Sequence, residues 1–175
     1  MELYLITGFL GAGKTTFLKN FARQFAGRRL RLIINEFGRA GVDGTLLREL
    51  DAALDEISNG SIFCACRLDQ FEAALEQAAA DAPDVALVEA SGLADPTNVR
   101  RVLAQFPAVS YQGSVCVADA ARLEKVFSTA RACPRQLAVS SLVLLNKTDL
   151  ATEAQCAEAK ALILRANPAA RIRRT

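Results

Sequence analysis

Two short stretches carry residue types that could act on a phosphorylated ligand. The first is Gly8-Phe9-Leu10-Gly11-Ala12-Gly13-Lys14-Thr15-Thr16, which fits the phosphate-binding spacing Gly-x-x-x-x-Gly-Lys-Ser/Thr. An apolar run with Leu3, Leu5 and Ile6 precedes it, and Phe17-Leu18-Lys19-Asn20-Phe21 opens a helical pattern after it. Strand, glycine turn and helix together make the setting in which such a turn binds pyrophosphate. The glycines leave backbone N–H groups free to wrap an anion, and the helix start adds the positive end of its dipole. In this reading Gly11, Ala12 and Gly13 cradle the phosphates and Lys14 neutralises the β- and γ-phosphates. The Thr15 hydroxyl would hold Mg²⁺, and Thr16 would reach the α-phosphate.

The second stretch is Asn146-Lys147-Thr148-Asp149, which follows the apolar strand pattern Leu142-Val143-Leu144-Leu145. It matches the guanine-reading pattern Asn-Lys-x-Asp. A carboxylate at Asp149 can accept hydrogen bonds from both N1–H and the 2-amino group of guanine. Adenine offers neither, so binding it would strand a desolvated charge, and sites of this kind discriminate by roughly 10⁴-fold or more. The stem of Lys147 can lie over the purine, and Asn146 can orient the base from its N7 side. An ordinary polar strand-to-helix turn is the plainer reading of the tetrapeptide taken alone. Its pairing with the glycine turn favours GTP and GDP as ligands.

A third group sits between them. Glu89 ends the apolar run Val85-Ala86-Leu87-Val88 and is followed by Ser91 and Gly92. An acid here can order water around Mg²⁺, which keeps several waters and takes one or two carboxylates. The Gly92 N–H can approach a γ-phosphate because no side chain blocks it. That would make residues 91–97 a nucleotide-sensing switch; otherwise Glu89 simply caps the next turn. The segment Asn35-Glu36-Phe37-Gly38-Arg39-Ala40-Gly41-Val42-Asp43-Gly44, with three glycines, is suited to be the other switch.

The bulk numbers fit one soluble domain. The chain has 175 residues, 51% apolar and 23% charged, and a net charge of +2. That balance argues against charge-driven binding of nucleic acid. The arginine groups at Arg28, Arg29, Arg31 and at Arg171, Arg173, Arg174 read as solvated rims. No apolar run approaches the ~18 residues of a membrane span, and the N-terminus does not read as a signal peptide. Five cysteines, an odd number, fit a reducing cytoplasm. With no histidine, any metal site must use Cys, Asp or Glu.

Periodicity predicts strands at Leu3–Thr7, Leu30–Ile34, Val85–Glu89, Gly113–Asp119, Leu142–Leu145 and Ala170–Arg173. It predicts helices over Phe17–Phe25, Leu46–Leu54, Phe71–Ala80, Thr97–Phe106, Ala121–Ala130 and Thr152–Ala166, with a short one near Gln136. Thr97 reads as a helix cap, and Thr152 with Gln155 as a capping box. The expected fold is α/β: three layers of the P-loop NTPase type, a mostly parallel twisted sheet with helices on both faces. All ligand contacts would then come from loops at the carboxyl ends of the strands.

Together, residues 8–16, Asn35-Glu36-Phe37-Gly38, residues 89–96 and residues 146–149 resemble the CobW/UreG/HypB family of P-loop GTPases, the CobW branch above all. The resemblance covers essentially all 175 residues as one P-loop GTPase domain, without the family's smaller C-terminal domain. It implies slow GTP hydrolysis and a switch or chaperone role in maturing a client metalloenzyme or corrinoid protein. A nucleotide-dependent homodimer is also implied, with Asp43 as a candidate for holding Mg²⁺ or orienting the attacking water. Where such proteins usually carry Cys-x-Cys-Cys, this chain has Ser61-Ile62-Phe63-Cys64 and an extra Cys66. Two thiols do not fill a zinc site of about four ligands. Cys64 and Cys66 are therefore either a metal site shared between two chains or two structural cysteines. Cys116, Cys133 and Cys156 read as core residues. The alternative functions are a carrier of Zn²⁺, Co²⁺ or Ni²⁺ through Cys64 and Cys66, and an ATP-dependent small-molecule kinase, which Asp149 opposes.

Overall fold

The computed structural model describes residues 1–35, 44–57, 62–63 and 68–175. The chain runs β1 (Glu2–Thr7), α1 (Lys14–Ala22), β2 (Leu30–Asn35), α2 (Gly44–Leu50), β3 (Ala53–Ile57), α3 (Leu68–Asp81) and β4 (Val85–Glu89). It continues through α4 (Val99–Leu103), β5 (Ser110–Asp119), α5 (Leu123–Thr129), α6 (Ala132–Ala138), β6 (Leu142–Asn146), α7 (Glu153–Ala166) and β7 (Arg171–Arg174). The strands form a seven-stranded sheet in the order β3-β2-β4-β1-β5-β6-β7. Every neighbouring pair is parallel.

Period-two alternation sorts the strand residues into two apolar layers. Leu3, Leu5, Ile33, Ala86 and Val88 face one way, against Phe71 and Leu75 of α3 and Val99 and Val102 of α4. Ile6, Leu32, Ile34, Val85 and Leu87 face the other way, against Leu18 and Ala22 of α1 and Leu50 of α2. Central strands must be apolar on both faces, which is why β1, β2 and β4 read as continuous hydrophobic runs. On the β5–β6 side, Cys116, Ala118, Val143 and Leu145 pack with Cys133 and Leu137 of α6 and with Cys156, Ala159 and Ile163 of α7. Burying a side chain such as Leu3 or Leu5 contributes about 1.5–3 kcal/mol. Among the described residues no helix is long and apolar enough to cross a membrane.

Four expectations need correction. The helix over Leu46–Leu54 stops at Leu50, Asp51 takes a positive φ of 48°, and Ala53–Ile57 is an edge strand paired with β2. Its sequence, Ala-Leu-Asp-Glu-Ile, buries only Ile57 and lacks apolar alternation, so pairing with β2 decides its conformation. Helix α1 begins at Lys14, inside the glycine motif. Asp95, not Thr97, caps the turn after β4: its carboxylate accepts from the Thr97 N–H at 3.2 Å and from the Thr97 hydroxyl at 2.8 Å. Arg31 is no solvated rim residue. It is 5% exposed, and it donates to both Asp55 oxygens at 2.6 and 2.9 Å and to Asp81.

The Arg31 guanidinium holds the exposed Asp81 carboxyl below the ordinary carboxylate range, with help from the Gln77 amide. A carboxylate whose pKa is lowered only in the folded state adds stability above its ordinary pKa. That stability is lost as pH falls through the lowered value. The margin of wild type over Asp81→Asn in urea midpoints should therefore shrink as pH drops from neutral towards 3. A margin independent of pH would show that the Arg31–Asp81 pair adds nothing to the fold.

Candidate functional site

The glycine turn leaves β1 at the centre of the sheet, and at two of its glycines a side chain would be strained and crowded. Gly8 has φ +136°, and a Cβ there would lie 2.2 Å from the Val117 carbonyl oxygen. Gly13 has φ +106°, and its Cβ would lie 2.5 Å from Asn146 Nδ2. Lys14 follows as the first residue of α1 and is only 5% exposed. Among the described residues no carboxylate lies within ion-pair distance of its ammonium group. A buried cation without a counter-charge is costly, and an anion in the turn would relieve that cost.

Thr15, in the first turn of α1, meets Glu89, the last residue of β4. The Thr15 hydroxyl donates to Glu89 Oε1 at 3.0 Å, and Glu89 is fully buried at the strand end. A hydroxyl and a carboxylate are hard oxygen donors of the kind Mg²⁺ takes, so the pair fits that ion. The loop after β4 then packs on the glycine turn: a Cβ on the buried Gly92 would lie 2.6 Å from the Leu10 nitrogen. Asn35, at the end of β2, ties this region together. Its Oδ1 accepts from the N–H groups of Ile62 (3.1 Å) and Ser91 (3.4 Å), and its Nδ2 donates to the Ile57 carbonyl at 3.0 Å.

The loop after β6 comes up on the other side. Asn146 Nδ2 donates to the Ala12 carbonyl at 2.8 Å, and Lys147 Nζ donates to the Gly11 carbonyl at 2.7 Å. Lys147 sits in the left-handed region at φ 60° and also pairs with Asp119, at the end of β5, at 2.9 Å. Asp149 is exposed in the 3₁₀ turn that follows. Thr175 closes the loop: its carbonyl accepts from the Thr148 hydroxyl at 3.0 Å, and its hydroxyl donates to Asn146 Oδ1 at 3.1 Å. A cleft of about 180 Å³ opens beside these residues, lined by Gly13, Thr16, Phe17, Asn20, Asn146 and Thr175 among others.

The structure thus brings together Gly11, Ala12, Gly13, Lys14, Thr15, Thr16, Glu89, Gly92, Asn146, Lys147 and Asp149 at one end of the sheet. Asp43, Cys64 and Cys66 lie outside the described residues. Cys116, Cys133 and Cys156 are buried, as expected of core residues. Burial pushes the Cys116 thiol up to about 12 and the Cys133 thiol up to about 11, so neither is a thiolate near neutral pH. Among the described residues no group of three or more Cys, Asp or Glu could hold a metal ion. Sequence reading missed Asp119, Thr175 and Arg122, the last of which reaches to within 3.4 Å of a Cβ built on Gly11. Asp119 carried a usable signal, an acid ending a buried strand, as at Glu89.

A family profile described as the CobW/HypB/UreG nucleotide-binding domain matches residues 2–174. The chain belongs to the CobW/HypB/UreG family. Within it, the zinc chaperone CobW of Pseudomonas aeruginosa is 32% identical over 206 residues, covering 97% of this chain and 55% of that protein. The zinc chaperone YeiR of Escherichia coli is 33% identical, covering 85% of this chain and 47% of that protein. This CobW/HypB/UreG chain spans about half the length of the curated relatives it matches. Its fold is shared with the Zn(II)-bound YjiA GTPase from E. coli, with a TM-score of 0.73, 23% identity and coverage of 99% of this chain and 57% of that one. The hydrogenase maturation factor HypB from Archaeoglobus fulgidus has the same fold, with a TM-score of 0.65, 21% identity and coverage of 100% and 81%.

Gly13→Ala puts a Cβ into the Asn146 amide and strains a left-handed backbone position. It should cost about 2–3 kcal/mol, which for a domain of this size lowers Tm by roughly 4–12 °C in thermal unfolding. An unchanged Tm would contradict the close approach of the two loops.

Proposed function

We propose that this domain binds GTP and GDP with Mg²⁺, hydrolyses GTP slowly, and uses the nucleotide state to gate maturation of a client metalloenzyme or corrinoid protein. One observation carries the reading. The buried ammonium of Lys14, with no acid at ion-pair distance among the described residues, follows a glycine turn whose carbonyls at Gly11 and Ala12 are held by Lys147 and Asn146, the residues of the guanine-reading pattern. These two hydrogen bonds join the loop proposed for the purine to the turn proposed for the phosphates.

In this reading the turn and Lys14 bind the β- and γ-phosphates, and Asp149 reads the purine edge. Thr15 and Glu89 would hold Mg²⁺, which when bound supplies charge neutralisation at the phosphates. Gly92, packed on Leu10, meets the γ-phosphate. No residue forms a covalent intermediate; hydrolysis rests on positioning and electrostatics, and Asp43 is the proposed orienter of water. A nucleotide-dependent homodimer is part of the proposal. The buried free thiols fit a cytoplasmic protein.

A second reading, a carrier of zinc through Cys64 and Cys66, is favoured by the relatives, two of which are the zinc chaperones CobW and YjiA. Zinc titration in the presence of GTP separates the two. Stoichiometric binding lost in both Cys64→Ala and Cys66→Ala supports the carrier; weak binding untouched by either supports the switch alone.

Calorimetry with Mg²⁺ tests the nucleotide reading directly. GDP should give saturable heat and ADP at least 10²-fold weaker binding, because Asp149 has no partner on adenine. Asp149→Asn should move preference from guanine towards xanthine nucleotides. Equal affinity for GDP and ADP, or unchanged selectivity in Asp149→Asn, would refute the site.

A further inference from the structure

Gln136 lies on α6, is 1% exposed, and directs its amide at the loop after β4. Its Nε2 donates to the carbonyls of Gly92, at 3.2 Å, and Ala94, at 2.9 Å. The neighbouring Arg135 pairs with Asp95 of the same loop. That pair is largely exposed and holds the loop weakly. The Gln136 bonds are buried, and a carbonyl stripped of a donor in such a place is costly.

The far side of α6 is packed and hydrogen-bonded. Cys133 and Leu137 are buried in the layer beneath β5 and β6. The Ser140 hydroxyl donates to the Gln136 carbonyl at 2.7 Å and meets Ser114 of β5 at 2.9 Å. Asn167 donates to the carbonyls of Leu137 (3.2 Å) and Ser140 (2.7 Å). Towards the glycine turn, Gly92 has no room: a single added carbon would meet Leu10 at 2.6 Å. Any displacement of Gly92 by a ligand in the turn must therefore be taken up on the other side, through the two hydrogen bonds to Gln136. A cavity of about 20 Å³, roughly one water, lies between the turn and α6, bounded by Phe9, Leu10, Cys133 and Gln136 among others.

We propose that Gln136 is a positioning residue: it holds the 91–97 loop in register with the glycine turn and couples the γ-phosphate state to the placement of α6. This rests on the GTPase reading above. GDP lacks the γ-phosphate and should not report on the tether, whereas GTP should.

Gln136→Met keeps the length and bulk of the side chain and removes its donor. Its GDP affinity should stay within about twofold of wild type. Affinity for a non-hydrolysable GTP analogue and kcat for GTP should fall about tenfold or more, the scale of a misplaced contact. Equal losses for GDP and the analogue, or no loss for either, would overturn the tether. Should Gln136→Met fail to fold, hydrogen exchange on wild type decides instead. Protection over residues 132–138 should change together with that over 91–97 between the GDP and analogue complexes, and constant protection of 132–138 would overturn the proposal. Wild type binding neither nucleotide would refute the GTPase reading and the tether with it. Wild type binding both while Gln136→Met behaves identically would refute the tether alone.

Discussion

The site depends on a join between two loops that are more than a hundred residues apart in the chain. Asn146 and Lys147 hold the carbonyls of Ala12 and Gly11, 134 and 136 residues upstream. A trans peptide is planar, so fixing the Ala12 carbonyl also fixes the direction of the Gly13 N–H on the opposite side of the same unit. The Ala12 N–H is fixed as well, donating to the Phe9 carbonyl at 3.2 Å. A glycine-rich turn left to itself samples many conformations; this one has its carbonyls occupied from outside. The conformational freedom that lets it curl round an anion is thereby reduced before any anion arrives.

Charge is distributed unevenly along that join. The ammonium of Lys147 is balanced by Asp119 at the end of β5. The ammonium of Lys14 has no such acid among the described residues, although it is the more buried of the two. Glu89 is engaged by Thr15 rather than by Lys14. Among the described residues, the Lys147 ammonium is thus paired with an acid, while the more buried Lys14 ammonium is not. Coulombic attraction is stronger where water is excluded, so an anion reaching the Lys14 ammonium would be held more strongly than one paired with an exposed cation.

Side chains from the end of β2 and from α6 help to hold the loop after β4. Asn35 accepts from Ser91 on one side, and Gln136 donates to Gly92 and Ala94 on the other. Side-chain tethers of this sort can shift without breaking the strand ladders beneath them. The core layers meanwhile stay close-packed, with Leu3, Leu5, Ile6, Leu32, Ile33 and Leu87 all fully buried. A rigid sheet carrying a loop on adjustable struts is the physical form a ligand-sensing segment requires.

Much of this was legible in the chain itself. Apolar runs ending in a glycine turn, in Glu89 and in Asn146 fixed the central strands, the parallel sheet and the residues at their carboxyl ends, because burial on both faces leaves no alternative to continuous hydrophobic strands. The Thr152–Gln155 capping box was equally readable, since its two hydrogen bonds are local. What sequence could not give is whatever depends on partners distant in the chain. The strand at Ala53–Ile57 exists because β2 offers it an edge, and Arg31 is buried because Asp55 and Asp81 converge on it. Asp119, Gln136 and Thr175 acquire their roles only when the sheet order puts β5 beside β1, with β6 and β7 beyond it. Local patterns report local free energies; a polar side chain's partner is chosen by the topology, and that is settled only when the layers pack.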